Sequence, residues 1–155
     1  MRPDDAMPLH ALFGDPEFMR AFDAAPFSPA QTAAWVARNL DHQATHGFGL
    51  FTIVLEETGE VIGDCGFEVM SLDGSTEVEL GYDLARAHWG RGLAREAAAA
   101  AAAHAFETLG LDHLVSLVRA GNSRSLRVAE AIGMRRVAEI ERREVVYWVL
   151  RLDAP

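Results

Sequence analysis

The sequence has little of what marks an exported, metal-binding or membrane protein. Its 155 residues include one cysteine, Cys65, so no intramolecular disulfide can form and no cysteine cluster of metal-binding spacing is present. No basic leader precedes an apolar run near the amino end, and no apolar stretch approaches the roughly 18 residues of a membrane span. We therefore expect a cytoplasmic protein with no membrane partner and no metal site.

Basic residues are also scarce. The 14 Lys and Arg residues are outnumbered by 23 Asp and Glu, which leaves a net charge of −9 at pH 7. Such a surface repels a nucleic-acid backbone and attracts cations, so it favours a basic or amine-bearing partner over nucleic acid. Half of the residues are apolar and the length is typical of one domain. We expect a single domain over residues 1–155, as a monomer or homodimer.

Helical patterns mark the amino-terminal part of the chain. Apolar residues recur at helical spacing across residues 4–13, behind two aspartates that favour a helix start. Residues 28–31 then supply a serine N-cap, a proline in the first turn and a glutamine as capping-box partner. These signals predict a second helix that runs to about His42.

Strands and helices alternate in the rest of the chain. Runs of β-branched and aromatic residues predict strands, and an alanine-rich stretch stopped by a glycine predicts a long helix. The predicted order is a hairpin at 50–55 and 61–69, a period-two strand at 77–82, a helix at 93–109, a strand at 114–118, a helix from Asn122 to Gly133, and a strand at 145–152. This order indicates an α+β fold with a mixed, mostly antiparallel sheet.

The clearest chemical signal is a glycine-rich turn between the period-two strand and the long helix. It consists of Trp89, Gly90, Arg91, Gly92, Leu93 and Ala94. The first N–H groups of a helix lack intrahelical partners, and the helix dipole favours an anion there. The glycines let the main chain approach phosphate oxygens closely, and Arg91 can add a charge-assisted contact. A plain strand-to-helix turn is the alternative, because a bare G-x-G is common.

Two widespread phosphate-binding motifs are absent. No G-x-x-x-x-G-K-[ST] occurs, so the loop of nucleoside triphosphatases is not indicated. The dinucleotide-binding fingerprint needs a third small residue three positions after the second glycine, where this chain has Arg95. The turn therefore fits neither of these classes.

The turn resembles the pyrophosphate motif Q/R-x-x-G-x-G/A of the GNAT superfamily of acetyltransferases. Gly92 and Ala94 stand at its small-residue positions, and Trp89 stands at the Q/R position. The form W-G-x-G-x-A is similar to that of the bacterial ribosomal-protein N-terminal (alanine/serine) acetyltransferases. Family members begin with a strand just before the segment at residues 2–6, so we expect that first strand to be missing or truncated here.

Further stretches are similar to the same subgroup, in the same order along the chain. The second family motif, N-x-x-S/A and then G-F, is matched by Asn122, Ser125, Gly133 and Met134. The remaining stretches are Phe48-Gly49-Leu50, Val61-Ile62-Gly63 and Glu79-Leu80-Gly81-Tyr82. Together they extend the resemblance over nearly the whole chain.

The resemblance implies an acetyl-CoA-dependent N-acetyltransferase that transfers the acetyl group directly in a ternary complex. In the family, the fourth and fifth strands splay apart and the pantetheine arm pairs with the fourth, which corresponds to Tyr82 and Leu84. The diphosphate would lie on the turn at residues 89–94, and Asn122 would bind the cofactor from the other side. A main-chain N–H near Leu84 would stabilise the thioester oxygen.

The resemblance also suggests the groups that move protons. Glu79 resembles a glutamate that serves as general base on the fourth strand, and the alternative is a solvated carboxylate. Many relatives use a tyrosine seven residues after the asparagine as the acid, but this chain has Ala129 there. Ser125 stands where N-terminal acetyltransferases carry a serine. Its alternative is an ordinary serine that bonds the local backbone.

Alternatives remain for the acceptor of the acetyl group and for the activity itself. A protein N-terminus is the expected acceptor, and a lysine, a polyamine or an antibiotic amine are the others. The alternative from a different class of protein is a catalytically silent acyl-CoA-binding module. Such a module would keep the glycine-rich turn and lack acetyltransferase activity. His88 beside the turn is interpreted as a surface histidine without a role, and Cys65 as a buried small apolar residue.

Overall fold

The structure, a computed structural model, describes residues 1–22 and 24–155, apart from the side chain of Ala21. The helices are α1 (Ala6–Phe13), α2 (Pro16–Met19), α3 (Pro29–His46), α4 (Leu93–Glu107) and α5 (Ser123–Ala131). The strands are β1 (Leu50–Leu55), β2 (Glu60–Leu72), β3 (Ser75–Leu84), β4 (His113–Arg119), β5 (Arg135–Arg142) and β6 (Val145–Asp153). Short 3-10 turns lie at Pro3–Asp5, Arg20–Phe22 and Arg86–His88.

The strands form a six-stranded mixed sheet in the order β1-β2-β3-β4-β6-β5. The pairs β1/β2, β4/β6 and β5/β6 are antiparallel, whereas β3 and β4 run parallel and meet at Glu79 and Val115. The predicted α+β class is therefore confirmed. Before β1 the described residues contain helices and no strand, so the family's fourth and fifth strands correspond to β3 and β4.

The predicted start of the second helix is confirmed at α3. The Ser28 hydroxyl accepts a hydrogen bond from the Gln31 N–H at 3.2 Å, and the Gln31 side chain accepts one from the Ser28 N–H at 2.8 Å. This reciprocal capping box, with Pro29 in the first turn, fixes where the helix begins. The helix ends at His46, about one turn later than predicted.

The chain forms two compact units, each with its own apolar cluster. The first unit is Met1–Gly66 with Tyr82–Arg91, and the second is Phe67–Gly81 with Gly92–Pro155. Buried in the first are Leu9, Phe13, Phe18, Met19 and Val36. Buried in the second are Val118, Ala129, Met134 and Leu150. Burying one such large side chain contributes about 1.5–3 kcal/mol, so each cluster stabilises its own unit. The single domain over residues 1–155 stays a prediction.

Sequence patterns predict neither α2 nor β5. The helix α2 has four residues, which is too short to show a period, and it begins where the Asp15 carboxylate accepts a hydrogen bond from the Glu17 N–H at 2.8 Å. The strand β5 is mostly charged and exposed, so it lacks an apolar alternation. It forms an edge of the sheet through its pairing with β6, a contact that its own residues do not signal.

The strand β2 passes very close to the end of β3 at Gly63. An ideal Cβ on Gly63 would lie 2.0 Å from the main-chain oxygen of Asp83. Beside this point the Ala85 N–H donates a hydrogen bond to the Ile62 carbonyl at 2.8 Å. Glycine is therefore required at position 63, because any side chain would collide with main-chain atoms.

Candidate active site

The glycine-rich turn leads into a helix terminus that no side chain caps. Gly90 and Gly92 have φ values of 75° and 83°, and a Cβ on either would meet nothing within 4 Å. Gly92 is the N-cap residue of α4 and has no side-chain acceptor to offer, so the first N–H groups of α4 stay available to an anion. The binding of a diphosphate at this helix start stays a prediction.

Trp89 fastens the turn to the end of β3. Its Nε1–H donates a hydrogen bond to the Leu84 carbonyl at 2.7 Å, and the Arg86 guanidinium lies 5.9 Å from the centroid of its ring. The residue at the Q/R position of the family motif thus holds the main chain of Leu84, another predicted cofactor-binding residue. Tyr82, two residues earlier on β3, is partly buried.

A network of polar contacts surrounds Arg91. Its Nη1 lies 3.1 Å from Nδ1 of His88, and its Nη2 lies 3.8 Å from Oε2 of Glu57. Nε2 of His88 in turn lies 3.5 Å from Oε1 of Glu60. His88 is only 8% exposed, so the interpretation as a lone surface histidine is wrong. Sequence reasoning missed it because its partner Glu60 lies far away along the chain.

Glu79 lies at the point where β3 pairs with β4. Beyond its pair with Val115, its Oε1 accepts a hydrogen bond from the Leu117 N–H at 3.2 Å. In a longer parallel ladder this N–H of β4 would donate to a main-chain carbonyl of β3. Here the side-chain carboxylate accepts the hydrogen bond instead. Oε2 of Glu79 makes no hydrogen bond to any residue that the structure describes.

Burial raises the pKa of Glu79, and the nearby charge of Glu68 raises it further. The Leu117 N–H and the charge of Arg142 act in the opposite direction. Two residues earlier on the same strand, Glu77 is engaged by the Nε2 of His113 at 2.6 Å. Each of these two carboxylates therefore has one oxygen in a polar contact, and Glu79 keeps Oε2 for a substrate or a water.

Asn122 and Ser125 meet at the start of α5. The Oδ1 of Asn122 accepts a hydrogen bond from the Ser125 N–H at 3.2 Å, so Asn122 is the N-cap of this helix, in agreement with the predicted helix start at this residue. Its amide nitrogen, a donor, is the group that suits a cofactor oxygen. Ser125 is partly buried. The catalytic role of its hydroxyl stays a prediction.

The predicted site residues divide between the two units. The first unit holds Tyr82, Leu84, Trp89, Gly90 and Arg91, and the second holds Glu79, Gly92, Leu93, Ala94, Asn122 and Ser125. Within the first, a hydrogen bond joins Trp89 to Leu84, and within the second another joins Asn122 to Ser125. Leu93 and Ala94 are the first residues of α4 and are partly buried.

The other expectations concern metals, membranes and the cysteine. Residues 1–22 and 24–155 contain no group of three or more His, Cys, Asp or Glu side chains that could hold a metal ion. No helix in the described part of the chain is long and apolar enough to cross a membrane. Cys65 is buried as expected, and its burial, with the charges of Asp64 and Asp83, raises the pKa of its thiol to about 12.

Comparison with known proteins identifies the family. The family model described as an acetyltransferase (GNAT) domain matches residues 1–135. The Bacillus subtilis protein YkkB is 36% identical over 131 residues, which cover 84% of this chain and 76% of that protein. The N-acetyltransferase p20 of Bacillus licheniformis is 30% identical over 137 residues, covering 88% and 76%. The chain therefore belongs to the GNAT family and is an acetyl-CoA-dependent N-acetyltransferase.

Solved structures agree with this fold. An acetyltransferase from Agrobacterium tumefaciens is 33% identical, with a TM-score of 0.80 and coverage of 98% of this chain and 86% of that one. The aminoglycoside acetyltransferase AAC(6')-Ib in complex with coenzyme A is 17% identical, with a TM-score of 0.79 and coverage of 99% and 91%. Ribosomal-protein-alanine N-acetyltransferase from Brucella melitensis is 17% identical, with a TM-score of 0.77 and coverage of 99% and 96%. At these low identities the last two show the fold alone.

Proposed function

We propose that the protein acetylates the α-amine of a protein N-terminus by direct transfer from acetyl-CoA. The observation that carries the cofactor assignment is the start of α4, where a left-handed glycine leaves the first N–H groups of the helix without a side-chain cap. The acceptor assignment is supported by the W-G-x-G-x-A form of the turn and by the net charge of −9.

The proposed cradle uses main-chain donors and a few side chains. Trp89 and Gly90 shape the turn, and the N–H groups of Gly92, Leu93 and Ala94 bind the diphosphate, assisted by the Arg91 guanidinium. The amide of Asn122 contributes a further donor. The main chain at Tyr82 and Leu84 binds the pantetheine arm. Acetyl-CoA supplies an activated acetyl group and a thiolate that can leave.

Glu79 is the proposed general base. An ammonium group cannot attack a thioester, so the acceptor must first lose a proton. The Oε1 of Glu79 is held by the Leu117 N–H, which leaves Oε2 to accept that proton directly or through a water. Because burial raises the pKa of this carboxyl, it is a stronger base than an exposed glutamate. Ser125 is the proposed acid that donates a proton to the departing thiolate.

The test is a panel of acceptors assayed with acetyl-CoA. The panel contains a peptide that begins with alanine, the same peptide with a blocked N-terminus and one internal lysine, a polyamine, and an aminoglycoside. All 14 basic residues of the protein are arginine, so its own N-terminus is the only primary amine it adds to the assay. Thiol release and mass spectrometry report which amine is acetylated.

We expect turnover with the free N-terminal peptide and little with the blocked one. Preferred acetylation of the aminoglycoside or the polyamine would replace the proposed acceptor and leave the acetyltransferase assignment intact. If CoA raises the melting temperature while no amine in the panel is acetylated, the acceptor belongs to a class of amine outside the panel.

A further inference from the structure

We propose that His88 is a positioning residue that orients Arg91 toward the diphosphate of the cofactor. The inference rests on the proposed place of Arg91 in the cradle and adds a residue to which that proposal gives no role. His88 is 8% exposed and lies three residues before Arg91, with its Nδ1 at 3.1 Å from Nη1. The ring of His88 is buried and held in place, so its Nδ1 is a fixed contact point for the exposed, flexible side chain of Arg91.

The chemistry of the two side chains fixes the direction of this hydrogen bond. A guanidinium carries donors only and stays protonated in proteins. The Nδ1 of His88 must therefore be the acceptor, which places the ring proton of the neutral imidazole on Nε2. That nitrogen faces the Oε1 of Glu60 at 3.5 Å. The carboxylate favours the N–H on this side of the ring and so maintains the acceptor on the side of Arg91.

The contact with His88 also limits a competing attraction. The exposed carboxylate of Glu57 lies 3.8 Å from the Nη2 of Arg91 and competes for the guanidinium. The ring binds Nη1 and uses one of the five N–H donors of the arginine. The donors that face neither His88 nor Glu57 stay available to phosphate oxygens. His88 would thus act on the cofactor only through Arg91.

The test is a double-mutant cycle on CoA binding, measured by calorimetry. Arg91→Ala should weaken CoA binding by roughly tenfold, as expected for the loss of a charge-assisted contact. His88→Leu should weaken it by roughly three- to fivefold in the native background, because a hydrogen bond to a charged group is lost. It should have no effect in the Arg91→Ala background. Binding of pantetheine, which lacks the diphosphate, should be the same in every variant.

Two further variants separate positioning from folding. His88→Asn carries an amide oxygen near the place of Nδ1 and should restore CoA affinity to within about twofold of the native value. His10→Leu removes another ring contact of the first unit, the 3.2 Å approach of Nδ1 to the Thr32 hydroxyl, and should leave CoA affinity unchanged. In steady state, His88→Leu should raise the KM for acetyl-CoA while kcat at saturation stays the same.

Each part of the proposal can fail on its own. A loss of CoA affinity in His88→Leu that is equally large in the Arg91→Ala background, or that extends to pantetheine, would show a structural role and overturn the positioning role. Unchanged CoA affinity in Arg91→Ala would instead remove Arg91 from the proposed cradle. Thermal melting of each variant confirms that the compared proteins are folded.

Discussion

The helices α4 and α5 begin in opposite ways. At α4 the N-cap is a left-handed glycine without a side chain, whereas at α5 the Asn122 side chain accepts a hydrogen bond from the third N–H of the helix. A third main-chain donor, the Leu117 N–H, is bound by Glu79. The comparison indicates that a main-chain N–H without a main-chain partner is available to a ligand only where no side chain of the protein already binds it.

The largest expected effect comes from Glu79→Gln, which tests whether this carboxylate does more than bind Leu117. Glutamine keeps a side-chain oxygen for the Leu117 N–H and removes the base. We expect kcat/KM to fall by about 100-fold or more near neutral pH, with partial recovery at high pH where the amine loses its proton unaided. CoA affinity should stay near the native value. A native pH-rate profile in this variant would place the base elsewhere.

The same variant has an expected stability signature. Because burial raises the pKa of Glu79 above its ordinary value of 4.5, the ionised carboxylate opposes folding. The contribution of the Glu79 carboxyl to stability is complete below that ordinary value, where the group is protonated. This contribution is lost as the pH rises through the folded-state pKa. Glu79→Gln should therefore melt above the native protein near pH 8, and the difference should shrink as the pH is lowered toward 4.5. A pH series of melting curves measures this trend.

The next largest effect is expected from Gly92→Asn, at the open terminus of α4. Asparagine tolerates a left-handed main chain better than most residues, so the helix should persist while the new side chain fills the space in front of the donors. We expect CoA affinity to fall by about tenfold or more, equal to about 1.4 kcal/mol, as measured by calorimetry.

The matched control for Gly92→Asn is Gly110→Asn. Gly110 follows the other end of α4, has a φ of 66°, and also has nothing within 4 Å of an ideal Cβ. Both variants should lose a similar amount of thermal stability, and only Gly92→Asn should lose CoA affinity. Equal affinities in the two would mean that the diphosphate binds elsewhere.

A smaller effect is expected at the capped terminus of α5. Asn122→Ala removes the cap and should cost about 1 kcal/mol of unfolding free energy. Asn122→Ser should keep most of that stability, because serine also caps helices, while its short side chain lacks the amide donor. If the amide binds the cofactor, both variants should bind CoA a few-fold more weakly than the native protein, and to a similar extent. A loss confined to the alanine variant would assign Asn122 to capping alone.

The smallest effect is expected from Ser125→Ala. The hydrogen bond to Asn122 uses the main-chain N–H of residue 125, so the alanine variant keeps this cap of α5. If the hydroxyl is the acid, kcat should fall by less than about tenfold, since a thiolate leaves readily even without a proton. The deficit should shrink with an acyl donor whose thiol is more acidic. Loss of CoA affinity instead of kcat would make the serine a cofactor ligand.

Features encoded by neighbouring residues could be predicted from the sequence. The capping box at Ser28 and Gln31 and the glycine turn before α4 each lie within a few residues, and both occur where the pattern placed them. The period-two pattern of β3 likewise indicated a strand. In each case the physical cause is local, namely a side chain that satisfies a nearby donor or a dihedral that only glycine adopts easily.

Features that depend on distant partners could not be predicted. The strand β5 is defined by its pairing with β6, since its own residues are mainly charged. The burial of His88 and its contact with Glu60 bring together residues from separate parts of the chain. The hydrogen bond from the Leu117 N–H to Glu79 depends on the register of two parallel strands. No sequence pattern encodes such a register.

The close approach at Gly63 has a consequence for genetic screens of this enzyme. A selection for inactive variants would recover substitutions at position 63 as well as substitutions at the proposed catalytic residues, although glycine has no reactive group. A side chain there would displace the main chain of Asp83, between Tyr82 and Leu84, and so disturb the proposed pantetheine contact indirectly. Such variants should lose solubility or melting temperature together with activity, which would distinguish them from the inactive but well-folded variants that we expect at Glu79.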